Sequence, residues 1–178
     1  TGGLPQADWQ GLEVPEAAHR LVFIDSCFSP QWSLLPAASG ITVANLAEVP
    51  TAILEPNLGQ LAGIRDDAFA AVNTAFLQDG AFIHVAANRD ADRPIHLLFL
   101  ATREGVASYP RVLVRVERGG KCVFIEDFVG KVEGGYLTDA VAEIFVEDDA
   151  AVSHVRLQRE SPASFHIGKT AVRVAPRG

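Results

Sequence analysis

Apolar and polar positions change their rhythm once along this chain, near residue 80. Residues 66–80 (DDAFAAVNTAFLQDG) place Phe69, Val72, Phe76 and Leu77 at i, i+3, i+7 and i+8, one apolar stripe of a helix over 66–79. Asp66 or Asp67 suits its N-cap, and Gly80 stands where a left-handed C-terminal residue is favoured. From Ala81 the period becomes two and β-branched residues accumulate. Val112, Val114 and Val116 share one parity of a strand, with Arg111, Leu113, Arg115 and Glu117 on a wetter one.

Two strand–turn–strand units then recur at a fixed offset: Arg111–Phe128 (RVLVRVERGGKCVFIEDF) and Val141–Gln158 (VAEIFVEDDAAVSHVRLQ). Val116-Glu117 aligns with Val146-Glu147, Arg118-Gly119-Gly120 with Asp148-Asp149-Ala150, and Cys122 with Val152, each 30 residues on. A weaker copy spans Ala81–Leu100 around the turn Asn88–Asp92. A unit of this length cannot bury its own apolar face, so the offset predicts stacked β-rungs, a solenoid of about three repeats over 81–178. Cys122–Glu126 and Val152–Leu157 carry apolar residues at both parities, which leaves their faces open.

In front of the rungs the reading is mixed. Residues 1–19 form a loosely ordered lead-in with Trp9 as its anchor. Arg20–Phe28 is a short strand turning at Asp25-Ser26, and Leu34–Val43 is loop and then strand. Pro50 and Pro56 keep any helix within Leu46–Gly63 short. The expected organisation is a lead-in over 1–19, an α/β region over 20–80 ending in the helix 66–79, and the first rungs over 81–178.

Composition narrows the classes. With 48% hydrophobic and 21% charged residues the chain is globular. A net charge of −7 argues against nucleic acid as a partner. The absence of 18 consecutive apolar residues argues against a membrane span. Nothing resembles a signal peptide, and two cysteines, Cys27 and Cys122, are too few for a disulfide framework, so a cytoplasmic setting is expected. The sequence holds no Met, and Thr170–Ala175 reads as another strand with no capping unit after it. A piece of a longer protein is therefore expected, whose uncapped end would self-associate in isolation.

Candidate chemistry is sparse. The histidines His19, His84, His96, His154 and His166 form no spaced metal-ligand motif. His84 and His96 flank one turn, and packing in or on a sheet is favoured for them over metal binding. His154 and His166 stay open between structural and interface roles. Cys122 fits a rung interior as a small apolar residue; the alternative, a thiolate helped by Lys121, has no base or oxyanion motif beside it. Glu126-Asp127 and Glu147-Asp148-Asp149 are expected at turns or edges. No Walker A loop or GxGxxG motif is present, and nothing in the sequence supports catalysis. The alternative is a β-helix polysaccharide lyase or hydrolase working through acidic turn residues such as Asp127 or Asp149.

The segments FAAVNTAFLQDGAFIHV (Phe69–Val85), RPIHLLFL (Arg93–Leu100), YLTDAVAEIFVEDDAAVSHVRLQRES (Tyr136–Ser161) and FHIG (Phe165–Gly168) resemble, in order and spacing, the SufB/SufD family of iron–sulfur cluster assembly scaffolds. The likeness covers about residues 20–178 and is closer to SufD. It implies a right-handed parallel β-helix behind a small, mostly helical N-terminal region. It also implies a SufB-like paralogue and a SufC-like ATPase as partners, in a complex that assembles an iron–sulfur cluster. Compared with the family, the chain stops partway through the β-helix, before the ATPase-docking domain and the later rungs. No catalytic residue, cluster ligand or cofactor site is therefore carried over to it, no metal ligand is assigned, and no enzyme activity is expected.

Overall fold

The computed structural model describes residues 11–178, so Trp9 and the start of the lead-in lie outside the described residues. Eleven strands follow in order: β1 (His19–Ile24), β2 (Cys27–Phe28), β3 (Ile41–Asn45), β4 (Ala81–Val85), β5 (Ile95–Ala101), β6 (Ala107–Ser108), β7 (Arg111–Val116), β8 (Lys121–Gly130), β9 (Leu137–Val146), β10 (Ala151–Arg159) and β11 (Phe165–Val174). They form two facing sheets, β10-β8-β5-β1-β2 and β11-β9-β7-β4-β3, with β6 beside β9. Pairing is parallel except where β2 meets β1 and β3 meets β4. The chain alternates between the sheets, as a β-solenoid of about three turns requires, with 45% strand and 9% helix.

The 30-residue offset is the strand register itself. Val116 faces Val146 across β7 and β9, and Cys122 faces Val152 across β8 and β10. Equivalent turns stack as well: Asn88, Gly119 and Asp149 all hold positive φ (57°, 66° and 60°), and the N–H of each donates to the turn of the next rung. Asn, Gly and Asp are residues that adopt this left-handed conformation at low cost. Between the sheets, Val and Ile rows from β4, β7 and β9 meet Leu21, Leu97, Cys122 and Phe124 in one core. Phe23, Phe99 and Phe128 stack in a column along the axis, with centroids 5.1 and 4.9 Å apart.

The N-terminal region departs from its expected, mostly helical character. It contributes β1, β2 and β3 to the two sheets, and β1 lies parallel to β5, so the sheets begin well before Ala81. Among the described residues helix is confined to a 3-10 turn over Leu46–Glu48, α1 (Thr51–Leu54) and α2 (Ala68–Ala75). Leu12, expected in a loose lead-in, is buried with Val22, Leu98 and Val129 on the outer face of the first sheet.

The helix expected over 66–79 is shorter, and it is turned the other way. Asp67 caps α2 through bonds from the Phe69 and Ala70 N–H groups, but the helix already ends at Phe76. Its buried residues are Ala70 and Asn73, whereas Phe69 and Phe76 are 50% and 59% exposed. Tertiary contacts win over the stripe: Ala70 packs with Ala62 and Val141, and Asn73 Nδ2 donates to the Pro110 and Asp139 carbonyls (3.0 and 2.7 Å). Gly80 is not a helix end either. A Cβ there would lie 2.6 Å from the Arg111 carbonyl oxygen, so close backbone approach explains the glycine.

The parity expected to be wet on β7 is buried as well. Arg111 and Leu113 are fully covered. Leu46, Phe82, Leu113 and Phe145 form a second core beneath Val49, Leu54, Leu58 and Leu61, so the strap over residues 46–62 roofs the outer face of the second sheet.

Candidate functional site

The last rung changes the chemistry of the interior. Through β5 and β7 the inward positions are apolar, but β8 places Glu126 inward at 1% exposure. Its Oε2 accepts bonds from His154 Nε2 (2.6 Å) and from Arg156 Nη2 and Nε (2.8 and 3.1 Å) on β10. Arg156 Nη2 also donates to Thr170 on β11 (3.1 Å), and the His154 ring stacks on Phe124. Burial pushes the Glu126 carboxyl up, but the His154 bond and the Arg156 charge outweigh it, and the net shift is downward. Beside it, Glu160 takes bonds from His166 Nδ1 (2.6 Å) and Thr138 Oγ1 (2.8 Å), and the buried His166 Nε2 has no partner.

Histidine–carboxylate pairing recurs elsewhere. His84 meets Glu117 at 3.0 Å on the outer face of the second sheet, and His96 meets Asp127 at 3.3 Å on that of the first. Since Ile83, Val85, Ile95 and Leu97 all point inward, His84 and His96 lie on opposite outer faces and do not meet. His19 bonds the Pro36 carbonyl at 3.1 Å. Among the described residues no three His, Cys, Asp or Glu side chains group as metal ligands.

The acidic candidates divide. Asp148 and Asp149 sit at a turn as expected, with Arg177 bonded to Asp149 at 3.1 Å. Glu126 and Asp127, expected at a turn or edge, are mid-strand and buried, because the rung above supplies cations for both: Arg156 for Glu126, Arg159 for Asp127. Asp127 is raised by burial yet lowered on balance by the His96 and Arg159 bonds, and Arg177 lowers Asp149. Carboxyls held in this direction are poor proton donors near neutral pH. Sequence reasoning missed Glu143, Asp139 and Glu160, whose side chains are all buried. For Glu143 the signal was a lone acid inside an apolar run, VAEIFV.

The thiols differ as sharply. Cys122 is buried in the core, and burial together with the Asp90 charge pushes it up to about 12. Cys27 is exposed. Under native conditions at pH 8 one thiol, Cys27, is expected to react with Ellman's reagent within minutes, and the second only after denaturant is added. Two fast thiols would show that the rung interior opens.

The far end of the solenoid is unpaired: β10 and β11 each have a neighbour on one side only. Phe165, Val172 and Val174 are 73%, 52% and 53% exposed there. Residues 151–178 hold five Lys or Arg and one Glu, a net of +4, against −11 for residues 1–150 of this −7 chain. The terminal rung is therefore a basic layer on an acidic body.

The fold is a parallel β-solenoid of stacked rungs. Two family descriptions tile it in order: SufBD protein N-terminal region over residues 13–97, and SUF system FeS cluster assembly, SufBD core domain, over 99–178. The chain belongs to the SufB/SufD family. It is 34% identical over 179 residues to an iron–sulfur cluster assembly SufBD family protein of Synechocystis sp., covering 92% of this chain and 39% of that protein. It is 38% identical over 115 residues to protein ABCI7, chloroplastic, of Arabidopsis thaliana (60% of this chain, 24% of that protein). A SufBD family protein of Staphylococcus epidermidis is 32% identical over 94 residues (52% and 20%). The chain thus spans about two fifths of the Synechocystis relative and less of the other two.

Proposed function

We propose that the chain is the N-terminal region and first rungs of a SufD-like, non-catalytic scaffold that works in the cytoplasm with a SufB-like paralogue and a SufC-like ATPase. Its general place in iron–sulfur cluster assembly follows from its family. The observation that carries the scaffold reading is the tiling of both SufBD regions, in order, along the solenoid. The nascent cluster is the cargo of the whole complex, and no group of three His, Cys, Asp or Glu side chains forms a ligand set among the described residues. Burial of Cys122 leaves one accessible thiol, which suits an accessory scaffold better than a cluster ligand set, usually of four. No helix among the described residues is long and apolar enough to cross a membrane. For the chain alone, the β10 and β11 edges are the surface for self-association, favoured by salt that screens the +4 layer.

The test is a pull-down with the full-length parent as bait, followed by an absorbance scan after anaerobic loading with iron and sulfide. Recovery of a SufB-like protein and an ATPase, with a visible cluster band, is the expected result. A parent that captures neither protein and develops no band would sink the scaffold reading.

A further inference from the structure

On the outer face of the second sheet lies a groove that the scaffold reading does not use. Strand register places Thr42, His84 and Arg115 in one row across its floor, with Phe82 beside them. The opposite wall is the strap, through Val49, Pro50 and Ile53. The groove is open to solvent and has a volume of about 460 Å³, within the usual range for small-ligand sites. The Phe82 and His84 rings are nearly parallel, 15° apart with centroids at 6.4 Å, with Phe82 largely covered and His84 half-buried. Ile53 at its lip is 46% exposed.

The charges around this surface are unbalanced. Arg115 is the one cation lining the groove, and its Nη1 is held by Asn57 Oδ1 at 2.9 Å while Nη2 stands 3.8 Å from Glu147. Glu117 accepts from His84 and from the Ala87 N–H (3.1 Å), and the His84 bond keeps its carboxyl below the ordinary range. Glu48 lines the groove, is exposed and makes no hydrogen bond or ion pair with the described residues. Two carboxylates of the lining, Glu48 and Glu117, therefore stand against one guanidinium, itself shared with Glu147, beside the apolar side chains of Val49, Ile53 and Phe82. A neutral apolar ligand would leave that field unanswered, and an anion would oppose it.

We propose that this groove binds a small organic cation, an amine or amidine on a flat or short apolar body. The body lies against Phe82, His84 and Ile53, and the charge is met by Glu48 and Glu117. The assignment is independent of the chain's place in cluster assembly.

Benzylamine, benzyl alcohol and benzoate share one ring and differ in charge, so titrating the chain with each at low salt tests the site. The His84 ring resonances are the readout. Saturable shifts with benzylamine are expected at a Kd on the order of 1–10 mM, weaker shifts with the alcohol and weakest with benzoate. Glu48→Gln, a surface change with no partner to lose among the described residues, is expected to weaken benzylamine about two- to fivefold, while Glu133→Gln, outside the groove lining, leaves it unchanged. Benzoate binding as well as benzylamine, or a Glu48→Gln variant that binds like the parent, overturns the proposal. So does an acetyl-Leu-Arg-Leu amide that binds at least tenfold more tightly through the same residues, which would assign the groove to a partner's segment.

Discussion

Glu143→Ala is expected to cost about 3–5 kcal/mol of stability, the usual loss when a buried ion pair is left with one partner. Glu143 is fully buried on β9. One oxygen accepts from the Leu61 and Ala62 N–H groups (2.7 and 3.0 Å), and the other from the Gly59 N–H (2.8 Å) and the Arg111 guanidinium. Arg111, equally buried, passes the connection to Asn73 and Thr74 of α2 at 3.1 Å each. One carboxylate thus fastens the strap, the helix and two strands. Its loss strands a guanidinium and three N–H groups away from water. Urea denaturation followed by circular dichroism measures the effect. Arg111→Met with Glu143→Leu removes the stranded charge but not the stranded N–H groups, so it should recover part of the loss and not all. A single variant within about 1 kcal/mol of the parent would mean that water replaces the carboxylate.

The contrast between this hub and the rungs shows what a sequence exposes. Rungs are legible because stacking turns a register into an offset: Val116 with Val146 and Cys122 with Val152 are aligned in the sequence and adjacent in space. Turn residues are legible because a left-handed φ selects Asn, Gly or Asp at 88, 119 and 149. The strap is different. Its partner lies more than 80 positions away, as in the bonds from Leu61 and Ala62 to Glu143, and no period links them. The same ignorance misplaced α2, whose apolar stripe promised burial while the small Ala70 and the amide of Asn73 were what fitted onto β9. Buried charge was missed for a related reason. Glu126 and Asp127 look like edge residues until the rung above is known to bring Arg156 and Arg159 over them.

Asp139→Asn is expected to stabilise the protein at neutral pH by about 2–3 kcal/mol and to do almost nothing at pH 3.5. Asp139 is 1% exposed on β9, with α2 bonded to its carbonyl, and its Oδ2 has no hydrogen-bond partner. Burial first, then the Asp67 charge, raises its carboxyl to about 6, against the opposing pull of Arg111 and His166. An acid whose folded pKa is raised binds its proton more tightly when folded. Below the unfolded value near 3.8 both states are protonated, and the residue adds no penalty. Between that value and about 6 the unfolded chain ionises first, so stability falls as the pH rises. Above about 6 the cost is complete, and a neutral side chain of the same shape relieves it. The direction is opposite to that of Glu126 and Asp127, whose lowered carboxyls lose their contribution as the pH falls. Chemical denaturation of both proteins at pH 3.5, 5 and 7.5 separates the cases. The gap between variant and parent should be near zero at the first pH, intermediate at the second and largest at the third. A gap that stays constant across the three would place its origin in packing, and the folded carboxyl would then hold its proton no more tightly than an ordinary aspartate.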